Sequence, residues 1–113
     1  MSKVDSTLHA LADPTRRGVV DLLRHGPRPA GELASELGAS PPAMSRHLRI
    51  LRREGLVDEQ RADDDGRVRL YRLEPDRLAE LARWLDEIES FWNDQLESFS
   101  AHVAHKPSGG AVQ

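Results

Sequence analysis

The chain has no cysteine at all. That excludes disulfides, thiolate metal ligands, thiol redox sensing and a cysteine nucleophile. Lysine is nearly as scarce: of 16 basic residues only Lys3 and Lys106 are lysines, and the rest are arginines. Arginine's planar fork suits phosphates and guanine edges better than a lysine ammonium does. A GC-rich genome would produce the same bias without functional meaning. No apolar run approaches the roughly 20 residues needed to cross a bilayer. The opening Met1-Ser2-Lys3-Val4-Asp5 lacks the apolar core of a signal peptide, so a cytoplasmic protein without a membrane partner is expected. Glycine-rich phosphate loops, His-Glu-x-x-His and serine-nucleophile motifs are missing as well, and no enzymatic activity or cofactor is expected.

What is present is one domain's worth of chain, 113 residues with 38% hydrophobic and 31% charged side chains. The net charge of −3 argues on its face against a nucleic-acid partner. Its distribution points the other way. From Glu74 to Glu97 acids dominate, with only Arg77 and Arg83 opposing them, whereas between Pro41 and Glu54 four arginines (Arg46, Arg49, Arg52 and Arg53) meet the single acid Glu54.

Capping signals divide the chain into short helices. Ser6 to Ala12 reads as a first helix with Leu8 and Leu11 on one side. Asp13-Pro14 is an N-cap followed by proline at the first helical position, opening a second helix to about His25. Gly26-Pro27 stops it. A third helix fits Ala30 to Leu37, with Leu33, Ala34 and Leu37 at the spacing of a buried face. Gly38 ends it, and Ser40 with Pro41 opens a fourth helix that runs to about Glu54 before Gly55. Two helices joined by so short a turn cross steeply, which makes a helix-turn-helix unit.

After the fourth helix, Arg67-Val68-Arg69-Leu70-Tyr71-Arg72-Leu73 alternates charged and apolar residues, and Asp65-Gly66 is a hairpin turn signal. A β-hairpin in that place is a wing. Glu74-Pro75-Asp76 then opens a long last helix carrying Leu78, Leu81, Leu85, Ile88, Trp92, Leu96 and Phe99 at three-and-four spacing. The expected fold is mostly α with a small β-hairpin wing, in the order α-α-α-α-β-β-α. Residues 1–105 form the domain and 106–113, with Pro107 and two glycines, a disordered tail.

If Met44, Leu48 and Leu51 face inward, then Pro42, Ser45, Arg46 and Arg49 lie on the outer face of the fourth helix. A recognition helix enters the major groove by its N-terminal half, where side chains reach base edges and backbone amides meet phosphate. Arg46 and Arg49 are candidates for bidentate guanine contacts. Arg67, Arg69 and Arg72 mark the exposed wing face and would reach phosphates or a minor groove. Alternating arginines also keep edge strands soluble, and a helix-turn-helix is sometimes only a structural corner. His47, beside Met44 and Leu51, reads as a packed residue rather than a reader. The acids Asp63, Asp64 and Asp65 suggest a soluble hairpin tip rather than a cation site.

The runs Leu11-Ala12-Asp13-Pro14-Thr15-Arg16-Arg17, Gly31-Glu32-Leu33-Ala34 and Ser45-Arg46-His47-Leu48-Arg49-Ile50-Leu51-Arg52-Arg53-Glu54-Gly55-Leu56-Val57 resemble, in order and spacing, the ArsR/SmtB family of winged helix-turn-helix regulators. The resemblance covers about Leu8 to Leu73, and the last run is its most diagnostic part. It implies a repressor that binds double-stranded DNA, an inverted-repeat operator, as a homodimer. Ser40, Pro41, Pro42, Ser45, Arg46 and Arg49, with Arg67 and Arg69 of the wing, fall where DNA is contacted. It further implies that the first and last helices build the dimer interface and that Arg16 anchors the second helix.

The sequence departs from the founding members at the sensor, since the cysteines are missing and no histidine precedes His102 in the last helix. His102 and His105 form a His-x-x-His pair at one-turn spacing, but a polar helix end explains them as well, and no metal site is expected. Trp84, Phe91, Trp92 and Phe99 are four of the five aromatics. A stripe so widened is better explained by a partner chain than by a lone small domain. The expected dimer interface is Leu8, Leu81, Trp84, Leu85, Ile88, Phe91, Trp92 and Leu96. The rival reading is a winged-helix protein-interaction module without sequence-specific DNA binding.

Overall fold

The structure, a computed structural model, describes residues 2–61 and 68–102, the last three by backbone alone. The element order is α1(Lys3–Ala10), α2(Pro14–Leu23), β1(Arg28–Pro29), α3(Ala30–Leu37), α4(Pro41–Arg53), β2(Val57–Arg61), β3(Arg69–Leu73) and α5(Pro75–His102). The expected hairpin tip and Arg67 lie outside the described residues, as does the tail from 106 onward. One compact unit ends at Leu81 and a second begins at Ala82.

Side-chain caps set the helix starts. The Asp13 carboxylate accepts the Arg16 N–H at 3.1 Å, and Ser40 Oγ accepts the Ala43 N–H at 3.2 Å. Proline occupies the first turn of both helices, where a missing N–H leaves no bond unmade. Helix α3 ends at Gly38 in the left-handed conformation, φ 65°, so the turn into α4 takes only three residues. α1 begins earlier than its apolar pattern suggests: Ser2 accepts the Asp5 N–H at 3.1 Å and sets the start at Lys3.

The core is drawn from five elements and the turn beside them. Ala10 of α1, Val19 and Leu23 of α2, Leu33 of α3, Met44, Leu48 and Leu51 of α4 and Val57 of β2 are buried together with Leu56. α2 and α3 approach closely at Gly18, where a Cβ would stand 2.8 Å from a methyl of Leu37.

The sheet has three strands rather than two. β1, only Arg28 and Pro29, pairs antiparallel with β3 and gives the order β1-β3-β2. Its proline sits on an edge strand, where a missing donor is tolerated. β2 and β3 pair antiparallel from Val57↔Leu73 to Arg61↔Arg69 in unbroken register. Period two then puts Arg69 and Arg72 on opposite faces. The expectation that they share one exposed face is therefore corrected: the alternation of the sequence breaks at Leu70-Tyr71, both half-buried.

Candidate nucleic-acid interface

The amphipathic pattern of α4 separates two chemistries along one helix. Met44, Leu48 and Leu51 are buried to within 2% of full closure. Pro42, Ser45, Arg46 and Arg49, at spacings of three and four, share the opposite face, and all four are exposed together with Ser40 and Pro41. Neither Arg46 nor Arg49 makes an ion pair or hydrogen bond through its side chain among the described residues. The first turn adds no free amide, since Pro41 and Pro42 carry none and the Ala43 and Met44 N–H groups are taken by Ser40, so the helix offers the exposed Ser45 hydroxyl and two open guanidinium forks.

A knot of polar contacts holds α4 against α2. Arg16 Nη1 lies 3.3 Å from His47 Nδ1, and the Asp13 carboxylate lies 3.9 Å from the same nitrogen. An arginine nitrogen can only donate, so Nδ1 accepts in this contact. Arg16 also donates through Nε to the Ala10 carbonyl at 2.6 Å, which ties down the end of α1. His47 is thus a packed residue, as its apolar neighbours suggest, and Arg16 is an anchor. The hydrogen bond from the Arg16 amide holds the Asp13 carboxyl below its ordinary pKa. Desolvation opposes that shift.

The C-terminal half of α4 differs from its N-terminal half. Arg52 pairs with Glu59 of β2 at 3.1 Å and Arg53 with Glu54 at 3.4 Å. Glu59 also receives Arg69 of β3 at 3.2 Å, one carboxylate oxygen serving each arginine. Burial, then the Glu59 charge, pushes the Tyr71 phenol up from its ordinary pKa. Arg72 turns to the other face and meets Asp58 at 3.6 Å and Glu74 at 3.4 Å. Arg49, Arg52, Arg53, Val57 and Asp58 line an open cleft of about 410 Å³ between α4 and β2. Of the predicted site, the structure therefore gathers Ser40, Pro41, Pro42, Ser45, Arg46 and Arg49 along the exposed side of one helix, from its N-cap past its middle. It sets Arg69 at the flank, held by an acid. Sequence reasoning missed Glu59, whose contacts follow from a cross-strand diagonal that only the register reveals.

The apolar residues of α5 beyond Leu81 stand open in the single chain. Phe91, Trp92 and Phe99 are 59%, 58% and 67% exposed, and Trp84, Leu85, Ile88 and Leu96 are exposed with them. Leu8 of α1 is also exposed, whereas Leu81 is half-buried. Among the described residues no group of three or more potential ligands could hold a metal ion. The side chain of His102, and all of His105, lie outside them. No described helix is long and apolar enough to cross a membrane.

A β-hairpin following a helix-turn-helix and joined by a short strand from ahead of it, with open arginines on the outer face of the second helix, defines the class of winged helix-turn-helix DNA-binding proteins. Comparison with known proteins agrees. A helix-turn-helix domain family matches residues 11–60. The chain is 43% identical over 96 residues to the HTH-type transcriptional regulator Rv2034 of Mycobacterium tuberculosis, covering 85% of this chain and 84% of that one. It is 33% identical over 101 residues to the arsenical resistance operon repressor of Escherichia coli K12, covering 88% and 84%. The solution structure of Mb0332 (fragment 1-100) from Mycobacterium bovis, a homodimeric winged helix-turn-helix DNA-binding domain described as a possible ArsR-family regulator, superposes with a TM-score of 0.59 at 27% identity. That match covers 93% of this chain and 88% of Mb0332. The chain belongs to the ArsR/SmtB family of DNA-binding transcriptional regulators.

Proposed function

We propose that the protein is a cytoplasmic transcriptional repressor that reads a near-palindromic operator as a homodimer and controls its own promoter. The observation that carries this reading is the exposed outer face of α4, with Arg46 and Arg49 unpaired among the described residues. Seated in a major groove, Ser45, Arg46 and Arg49 meet base edges while Ser40, Pro41 and Pro42 form the helix start that enters the groove. Arg69 of the wing flanks this surface with its guanidinium on Glu59.

The exposed face of α5, with Leu8 of α1, supports the homodimer. Seven large apolar side chains in one helix segment are more than a monomer ordinarily leaves in water. A two-fold homodimer presents two copies of the reading helix, which is the symmetry of an inverted repeat. The homodimeric state of Mb0332 and the repressor role of the E. coli relative favour the same assembly.

The test is fluorescence anisotropy of the purified protein on its own promoter DNA and on a scrambled duplex, across a salt series. Preference for the promoter, with a steep salt slope and loss of that preference in Arg46→Ala and Arg49→Ala, is the expected result. Equal binding to both duplexes by wild type and variants would overturn it in favour of a protein-interaction module.

A further inference from the structure

Glu59 occupies an unusual position in the charge layout. Its side chain is only 15% exposed, and its two oxygens are shared between Arg52 of α4 and Arg69 of β3. Across the strand pair it faces Tyr71. The two arginines themselves are about half exposed, at 49% and 59%, on the flank of the reading helix. By position they would be natural phosphate contacts; by pairing they are already engaged.

For either cation to turn to a phosphate it must leave a largely buried carboxylate. The carboxylate would then stay behind without one of its partners, facing an approaching anion. Arg46 and Arg49 carry no such restraint among the described residues. Phosphate contacts raise affinity for every sequence equally, whereas base contacts discriminate. Withholding phosphate contacts therefore favours discrimination over raw affinity.

We infer that Glu59 is a specificity-determining residue of the DNA-binding face, which holds Arg52 and Arg69 away from the DNA backbone and leaves recognition to Arg46 and Arg49. This rests on the operator-reading function proposed above. Glu59 is a positioning residue: it acts through the two arginines and touches no base itself.

The variant Glu59→Gln keeps the shape and removes the charge. Binding is read by anisotropy on the promoter duplex and on a scrambled duplex of equal length, between 50 and 200 mM salt, with far-UV circular dichroism confirming the fold. Each released arginine that finds a phosphate should steepen the log–log salt slope on scrambled DNA by about 0.9. Two per chain, four in the dimer, change the 50-to-200 mM affinity ratio by about 150-fold. Promoter preference should fall at least threefold. Adding Arg69→Ala, or Arg52→Ala, to Glu59→Gln should return about half of the added slope.

An unchanged slope on scrambled DNA in a folded Glu59→Gln protein overturns the inference, as does a loss of promoter binding alone. Should Glu59→Gln fail to fold, the single variants Arg52→Ala and Arg69→Ala decide. Both should bind scrambled DNA with the wild-type slope, and a drop of a full unit in either sinks the proposal. A wild-type protein without promoter preference would instead defeat the operator-reading function itself.

Discussion

Helix α4 and the segment 82–99 of α5 are written in the same pattern, large apolar residues three and four apart with charges between them. The structure treats them in opposite ways. Met44, Leu48 and Leu51 are closed over by α2, α3 and β2 of the same chain, whereas Phe91, Trp92 and Phe99 remain more than half exposed. Spacing says which side chains share a face and nothing about what covers it. The clue to the difference is residue type: α4 uses aliphatic groups and one methionine, while α5 gathers aromatics, the side chains enriched where two chains meet.

Breaking the open face should have the largest effect. The double change Phe91→Glu/Trp92→Glu is expected to give a monomer by light scattering. Operator affinity should fall about a thousandfold, toward the non-specific level. A dimer that survives this change would place the interface elsewhere. Truncation separates the two helices in a second way. Leu48→Ala removes buried contacts and should cost about 2–5 kcal/mol in urea unfolding. Trp92→Ala should leave the stability of the chain nearly unchanged when diluted below its dimerisation concentration. Equal losses at both sites would mean that the segment beyond Leu81 is covered within one chain.

The comparison sharpens within α4 itself. Arg46→Ala and Arg49→Ala should each lose about 1–3 kcal/mol of discrimination between promoter and single-base variants, while Arg53→Ala, paired with Glu54, should leave discrimination intact. Competition binding on a panel of altered half-sites measures this directly.

A smaller effect is expected at the cap that holds α4 in place from below. Asp13→Ala should cost about 1 kcal/mol. Because folding lowers the Asp13 pKa, its share of stability is present at neutral pH and is lost as pH falls through and below the ordinary carboxylate range. Thermal melts from pH 7 to pH 3 should show a shallower acid decline in Asp13→Ala than in wild type. Tyr71 has the opposite sense. Folding raises its pKa, so its share of stability is intact at neutral pH and fades only as pH rises past about 10. Tyr71→Phe should reduce that alkaline loss.

Much of the fold was legible because local chemistry fixes it. Asp13-Pro14, Ser40-Pro41 and Gly38 mark helix ends by hydrogen bonds and backbone angles that depend on adjacent residues alone. The inward face of α4 and the packing of His47 followed from the same helical period. β1 was not legible, since two residues carry no period and Pro29 speaks against a strand except at an edge. The start of α1 escaped notice because Ser2 caps a turn with little apolar pattern. Arg72 was placed on the wrong face because Leu70 and Tyr71 are both half-buried, which hides the parity of the strand. Glu59 lay beyond sequence reasoning altogether: its two partners come from α4 and β3, and only tertiary register brings them together.

The joint between α4 and the wing has a consequence for the DNA. The helix ends at Arg53 and the strand starts at Val57, with Gly55 left-handed at φ 78° and Leu56 fully buried between them. Such a joint contains no slack, so the separation between the reading helix and the wing works as a fixed gauge. A half-site whose flank lies too near or too far cannot be met by stretching the protein. On the operator-reading function proposed above, the double helix would bend or twist to fit, and operator sequences that deform easily at the flank would gain an advantage at base pairs no side chain touches.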